Sequence, residues 1–347
     1  MNRRLKNFIS SFPANKIDAY LVTNDTDIRY LTHFPAQESW LLVFSKKVFY
    51  ITDARYALEA RQGIKGVSVC EHKESLAHAA ISLLQKSHIK TVGFDDRHVS
   101  LALFKKLKKA CPRGIKMVAC QQLVDHQRCI KNAEEVGLIR QALNINKQAF
   151  HYLKRVIQPG VAEQEIFLKL DKYVRSKGVN FSFDPIIASG PNSCLPHAKI
   201  TARKVRNDEP VLVDMGIEVG GYKSDLTRMF FFGRIPTLVQ EVHALVQEAQ
   251  KKAIGEIQPG IVASEVDQAA RNYLRKHRLA KYFTHSLGHG VGLDIHESPS
   301  ISSKSCTILK EGMVFTVEPG VYIPNKFGIR IEDMVFVTRD GCEVLSQ

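Results

Sequence analysis

Val211-Leu-Val-Asp214-Met-Gly-Ile-Glu-Val-Gly220-Gly221-Tyr-Lys-Ser-Asp225-Leu-Thr-Arg228 is the stretch on which the reading of this chain turns. An apolar run, Val211 to Val213, delivers Asp214, and a second, Met229 to Phe232, follows Asp225. Gly220-Gly221 between them is a tight-turn signal, so the segment predicts a β-hairpin. Folding it back sets Asp214 and Asp225 on neighbouring strands, close enough to share a ligand. Two carboxylates at the base of an apolar hairpin are costly to bury unless a cation or a proton compensates them. The competing reading is a solvated rim, where most carboxylates sit.

The chain repeats the device. Met313-Val-Phe-Thr-Val-Glu318-Pro-Gly is another apolar strand ending in a carboxylate and a turn, and Phe327-Gly-Ile-Arg330-Ile-Glu332 returns with a second. Alternation with Ile329 and Ile331 puts Arg330 and Glu332 on one face. Between the two hairpins, His285, His289 and His296 lie in a glycine-rich segment. Two Asp, two Glu and a His are oxygen and nitrogen donors suited to two divalent ions. A paired-metal site clamps a substrate oxygen and generates a hydroxide near neutral pH, so no serine or cysteine nucleophile is needed. An internal echo supports the duplication: Ile157-Gln-Pro-Gly160-Val recurs as Ile257-Gln-Pro-Gly260-Ile, each before an amphipathic helix and a carboxylate hairpin. The offset is far longer than the period of a stacked repeat, so it marks a duplicated half-domain.

At 347 residues the chain is long for one core, and two domains are expected. Its 44% hydrophobic and 24% charged residues are those of a globular protein. The opening residues lack the apolar core of a signal peptide, and no run has the length of a membrane helix. Seven scattered cysteines with no Cys-x-x-Cys pair argue for reduced thiols in a cytoplasm, and against a disulfide framework or a thiolate zinc site. The formal charge of +14 raises a nucleic-acid reading, with Lys105, Lys106, Lys108, Lys109, Arg113 and Lys116 clustered. Leu101, Leu103, Phe104 and Leu107 fall among those lysines at helical spacing, so the run reads as the wet face of an amphipathic helix. No specific nucleic-acid partner is expected.

Before residue 124, short apolar strands at Ala19, Trp40, Val48, Val67 and Thr91 alternate with helical patterns, an α/β layer arrangement. A polar segment, Val124 to Ile130, reads as the boundary. Asn132, followed by Glu134 and Glu135, then starts a helix.

Taken together, these residues resemble the pita-bread metallopeptidases, which include Xaa-Pro aminopeptidase (aminopeptidase P), Xaa-Pro dipeptidase (prolidase), methionine aminopeptidase and creatinase. The matching pieces are Asp214-x-Gly, Gly221-Tyr-x-Ser-Asp225-x-Thr-Arg228, His285-x-x-Gly-His289-Gly-x-Gly, His296-Glu297, Thr316-x-Glu318-Pro-Gly and Arg330-x-Glu332-Asp333. The resemblance implies a creatinase/prolidase-like α/β domain over residues 1–127 and an α+β pita-bread (creatinase/aminopeptidase) catalytic domain over residues 128–347. It implies Asp225 and Glu332 bridging two divalent ions, Asp214 completing one site, and His289 with Glu318 completing the other. Manganese is the first expectation, with cobalt, zinc or iron tolerated by such donors.

By the same resemblance, Glu318 is the general base and His296 hydrogen-bonds the scissile carbonyl. His197 contacts the substrate and takes part in catalysis, while His285, Arg330 and Tyr322 line the substrate pocket. His33, His72, His78, His88, His98, His126, His151, His243 and His277 are read as ordinary surface or core residues. The implied activity is hydrolysis, by a metal-bridging hydroxide, of the Xaa-Pro bond at the N-terminus of peptides with proline second, in a homodimer away from membranes. One departure bears on the substrate. Prolidases often carry an arginine after the His-Glu-x-Pro segment, where this chain has Ser300, leaving Lys304 or Arg330 as substitutes. The absence favours an aminopeptidase over a dipeptidase. A catalytically inactive peptide-binding relative stays open as an alternative, although no expected ligand is missing. Creatinase-type chemistry is disfavoured because it does without metals.

Overall fold

In the computed structural model, which describes residues 1–347, the chain separates into two units, Met1–Arg128 and Cys129–Gln347. The first is built from α1 (Arg3–Ser10), β1 (Ala19–Val22), α2 (Asp25–Thr32), β2 (Trp40–Phe44), β3 (Val48–Thr52), α3 (Ala54–Gly63), β4 (Ser68–Glu71), α4 (Leu76–Gln85), β5 (Thr91–Phe94), α5 (Leu101–Ala110), β6 (Lys116–Ala119) and α6 (Leu123–Arg128). Short polar side chains start the helices: Asn2, Asp53, Ser75 and Ser100 each accept a hydrogen bond from a backbone N–H in the first turn. The six strands form one sheet in the order β4-β3-β2-β1-β5-β6. β2 runs antiparallel to β1 and β3, while the β1–β5, β5–β6 and β3–β4 pairs are parallel.

Two expectations need correction here. The segment read as a polar boundary contains α6, whose Arg128 is buried and donates to Asp27 on α2 at 2.9 Å. A buried ion pair hides charged residues that a polarity reading assigns to solvent. Burial pushes the Asp27 carboxyl up to about 6 against the pull of Arg128. On α5 the lysines are exposed and Leu107 is buried as expected, but Leu101 is 68% exposed and takes no part in the core.

The second unit opens on α7 (Ala133–Val156), where Asn132 accepts from Glu135 N and the Glu135 side chain returns a bond to the Asn132 N–H, a capping box. There follow α8 (Glu163–Ser176), β7 (Asn180–Phe181), β8 (Ile186–Ser189), β9 (Pro210–Met215), β10 (Ile217–Val219), β11 (Tyr222–Lys223) and β12 (Leu226–Phe231). The second half repeats the theme with α9 (Thr237–Gly255), α10 (Ala263–Lys276), β13 (Gly288–Gly290), β14 (Glu297–Ile301), β15 (Val314–Val317), β16 (Gly320–Ile323), β17 (Phe327–Arg330), β18 (Asp333–Val337) and β19 (Cys342–Val344).

Each carboxylate hairpin is broken in the middle. β9 pairs with β12 while their continuations, β10 and β11, pair in a different sheet. In the second half β15 pairs with β18, and β16 pairs with β17. Asp225, Glu318 and Glu332 lie at these breaks and Asp214 one residue before one, so each hairpin bends where it presents its acids. Gly216 sits at the first bend, where an added Cβ would come within 1.9 Å of Ser224 O on the returning strand, so only glycine fits. Alternation alone predicts continuous hairpins, because a bend at a glycine leaves the period-2 pattern intact. Behind the second hairpin, Val242, Val246 and Ala249 of α9 and Val266 and Ala270 of α10 pack with Phe315, Val317, Val321 and Ile329 in one buried cluster.

The segment carrying His197 is tied down from α8. The fully buried Glu163 carboxylate accepts from Ser189 N at 2.7 Å, Ser189 Oγ at 2.8 Å, Asn192 Nδ2 at 3.0 Å, Thr201 N at 3.0 Å and Thr201 Oγ1 at 2.7 Å. Removing that acceptor strands several buried donors. Glu163→Ala is therefore expected to lower unfolding stability by about 3 kcal/mol in urea titrations. A loss below about 1 kcal/mol would show that the loop holds itself.

Candidate metal centre

A cavity of about 790 Å³ opens in the second unit. Asp214, Asp225, His289, Glu318, Arg330 and Glu332 line it, together with His197, His285 and His296. None of the nine histidines read as ordinary residues reaches it. Tyr322 is not on the wall but stands directly behind it, with its hydroxyl 3.0 Å from His285 Nε2 and 2.7 Å from Arg330 Nη1. Thus the two hairpins and the histidine segment meet in one place.

At the floor, ligand-type atoms of Asp225, His289 and Glu332 lie within 4.8 Å of one another. His289 Nε2 is 3.3 Å from Glu318 Oε1 and 3.6 Å from Asp225 Oδ2. Asp214 joins them through Arg330, whose Nη2 donates to Asp214 Oδ2 at 2.6 Å. Hydroxyls hold the acids from behind. Thr227 Oγ1 donates to Glu332 Oε2 at 2.7 Å, and Thr316 Oγ1 to Glu318 Oε1 at 2.9 Å. The Thr227 bond links the two hairpins, and Arg228 reinforces it by donating to the Glu332 backbone oxygen and to Asp333 Oδ1. These threonines belong to the quoted motifs, but their roles were not read from the sequence. Strand alternation was the available signal, since Thr227 is two residues from Asp225 and Thr316 two from Glu318.

The electrostatics of the floor are unfavourable as they stand. Burial pushes Asp225 well above the usual carboxylate range, and the charges of Glu332, Asp214 and Glu318 push it further. Glu332 is raised for the same reasons, burial first and then Glu318 and Asp214. Asp214 is raised by burial against the opposing charge of Arg330. Glu318 is the exception: burial would raise it, but the hydrogen bond and charge of His289 hold it down to about 2. One oxygen on each of three acids, Asp214 Oδ1, Asp225 Oδ1 and Glu332 Oε1, is buried without a hydrogen-bond partner. The large majority of buried side-chain polar atoms find a partner, so three orphaned acid oxygens on one floor fit a cation set among them. The donor set, oxygens with one imidazole, suits a hard or borderline divalent ion.

The upper walls are apolar. Phe167, Phe183, Pro185, Ile186, Ile200 and Ile295 surround the space above the floor, and Asp184 and Lys199 stand exposed among them. His296 stacks edge-on against His289 with ring centroids 4.2 Å apart, and burial, with His289 next, lowers its pKa. His285 is likewise lowered by burial. Of the two residues considered as substitutes for the missing arginine, Lys304 is not on the wall. Arg330 is 3% exposed and spends its donors on Asp214, Tyr322, Thr227 Oγ1 and Pro196 O. Ser300 lines the cavity, as does Lys199, which the sequence reading did not single out.

Comparison with known proteins agrees with this geometry. Residues 4–130 match the creatinase/prolidase N-terminal domain, and residues 137–339 match metallopeptidase family M24. The chain is 32% identical to a Xaa-Pro dipeptidase of Pyrococcus horikoshii, over all of this chain and 97% of the relative. A solved Xaa-Pro dipeptidase from Bacillus anthracis superposes with a TM-score of 0.95 at 32% identity, covering 99% of this chain and 97% of that one. An X-Pro aminopeptidase from Thermotoga maritima gives 0.89 at 34% identity, with 97% of each chain covered. No helix of the chain is long and apolar enough to cross a membrane. With a creatinase/prolidase-type domain before a pita-bread domain, and acids and a histidine converging on one buried floor, the chain belongs to metallopeptidase family M24.

Proposed function

We propose that the chain is a Xaa-Pro aminopeptidase, a metallo-exopeptidase that releases the first residue of peptides with proline second. The observation that carries this reading is the set of three partnerless buried carboxylate oxygens beside His289 and Glu318. Asp214, Asp225, His289, Glu318 and Glu332 would hold two divalent ions, Asp225 and Glu332 between both, with manganese the expected metal. When bound, such ions polarise the scissile carbonyl and lower the pKa of the attacking water.

The chain's own groups do the rest. Glu318, held anionic, is suited to accept the proton of the attacking water. His296 stands beside His289 and can donate a hydrogen bond to the carbonyl oxygen as charge develops there. Arg330 fixes Asp214 from behind, and Tyr322 bridges Arg330 to His285. His197 lines the same cavity, on the loop anchored by Glu163. The apolar wall of Phe183, Pro185 and Ile186 suits a proline ring, which offers no N–H to satisfy. The reading includes a homodimer. It also includes a reducing cytoplasm, supported by seven cysteines without a disulfide.

A dipeptidase is the second reading, favoured by Lys199: an exposed cation on the cavity wall could meet a dipeptide's free carboxylate. Hydrolysis of Ala-Pro and Ala-Pro-Ala by metal-stripped protein, before and after manganese addition, separates the two. Manganese-dependent release of alanine from the tripeptide, with little from the dipeptide and none in Glu332→Ala, is the expected result. Preference for the dipeptide would make the enzyme a prolidase. No release from either under any divalent ion would remove the Xaa-Pro reading and revive a binding module.

A second expectation concerns pH. Asp225 and Glu332 have folded pKa values above their unfolded ones, so the folded metal-free chain binds protons that the unfolded chain does not. Their contribution is most favourable below the ordinary carboxylate range and declines as pH rises through it toward neutrality. Divalent ions relieve that penalty. The gain in Tm on adding manganese is therefore expected to be several degrees larger near pH 7.5 than near pH 5. Equal gains at both values would argue that these two acids are not ligands.

A further inference from the structure

Each half of the second unit carries one buried carboxamide aimed at its own hairpin. On α7, Asn146 is fully buried, and its Nδ2 donates to Met215 O at 2.9 Å and to Ser224 Oγ at 3.2 Å. Met215 follows Asp214, and Ser224 precedes Asp225. On α9, Gln250 is 6% exposed, and its Nε2 donates to Val317 O at 3.0 Å, Ile331 O at 3.2 Å and Asp333 Oδ2 at 3.1 Å. Val317 precedes Glu318, while Ile331 and Asp333 flank Glu332. In both halves one amide N–H₂ spans the two strands of a hairpin at the residues next to its acids.

We infer that Asn146 and Gln250 are positioning residues for the metal centre, each setting the separation of the two carboxylates in its own half. The strands need such a tie because the hairpins are broken there. Regular ladder pairing stops at the bend, and three of the four acids, Asp225, Glu318 and Glu332, project from residues that the ladders do not fix. Two neighbouring carboxylates repel, and while no cation lies between them the repulsion favours spreading the strands. An amide with two N–H groups is the smallest side chain that can hold both strands from one helix. Asn146 shows that the donor end matters, because its Oδ1 is buried with no partner. A residue kept only for packing would not retain an unsatisfied oxygen when leucine fills much the same space.

The two amides are also not sequence-equivalent. The internal repeat has an offset of 100 between Gly160 and Gly260, which places Gln250 opposite Phe150, one helical turn beyond Asn146. Each half therefore meets the same geometric need from a neighbouring turn, with a side chain one methylene different in length.

This inference rests on the two-ion reading above, and the experiment separates their failures. Manganese is titrated into metal-free wild type, Asn146→Leu, Asn146→Asp, Gln250→Met and Gln250→Glu, with affinity and stoichiometry followed by calorimetry. Electron paramagnetic resonance reports coupling between the two ions. Wild type is expected to take up two coupled ions. Each variant is expected to keep the wild-type circular dichroism spectrum but to bind one or both ions about tenfold more weakly, with reduced coupling. A wild type that binds no pair of ions would remove the two-ion reading itself. A normal wild type with any folded variant that binds both ions at full affinity and coupling would overturn the clamp. If both variants at a position fail to fold, that amide is a core requirement and not a positioning residue, which also overturns the inference for that half.

Discussion

The second unit is organised around the repulsion among four acids, Asp214, Asp225, Glu318 and Glu332, that share one buried floor. Carboxylates brought together in low dielectric cost several kcal/mol each unless something opposes the charge. Within the chain only Arg330 and His289 do so directly, and each is committed to one acid, Arg330 to Asp214 and His289 chiefly to Glu318. Burial raises Asp225 and Glu332, with the like charges around them adding to it, while His289 holds Glu318 down. The asymmetry separates the roles. In the proposed reading, the two acids without a close cationic partner of their own lie between two metal ions, and the one held anionic takes a proton.

Much of the surrounding structure follows from keeping these acids close. Strand pairing supplies the scaffold, but the hairpins bend at the acids, and the glycine at the first bend lets the backbones nearly touch. Threonine hydroxyls, the Arg228 guanidinium and the amides of α7 and α9 take over where the ladders stop. Buried polar groups of this kind contribute only when fully paired, and nearly all here are. The partnerless acid oxygens are therefore informative, because they mark where the protein stops satisfying itself.

The acids, the histidine segment and the duplication were legible because each rests on short local patterns: an apolar run, a carboxylate, a turn. Asn146, Gln250 and Glu163 were not. A lone amide or acid on a helix has no local signature, and its meaning depends on strands dozens of residues away. Arg128 was hidden for a related reason, since its partner Asp27 lies a hundred residues earlier. Lys199 escaped notice because an exposed lysine in a loop is ordinary until the loop is known to form a cavity wall. Sequence patterns record what a residue does with its neighbours in the chain. The broken hairpins were misread as continuous because a bend leaves alternation unchanged.

Substrate length is governed by a different part of the cavity than the chemistry. The floor acts on the scissile bond, so discrimination between a dipeptide and a longer chain has to come from the walls. Arg330 cannot serve there while it holds Asp214, because withdrawing its guanidinium would leave a buried acid uncompensated. Ser300 is too short and uncharged to pair with a carboxylate at a distance, so among the lysines and arginines of the wall such a contact falls to Lys199. An exposed lysine on a flexible stem is a weak anchor compared with a bidentate arginine, since it loses more side-chain freedom for each bond it makes. A wall built this way tolerates a carboxylate without requiring one. It would accept peptides that continue past proline, which is the physical basis for placing the aminopeptidase reading ahead of the dipeptidase one.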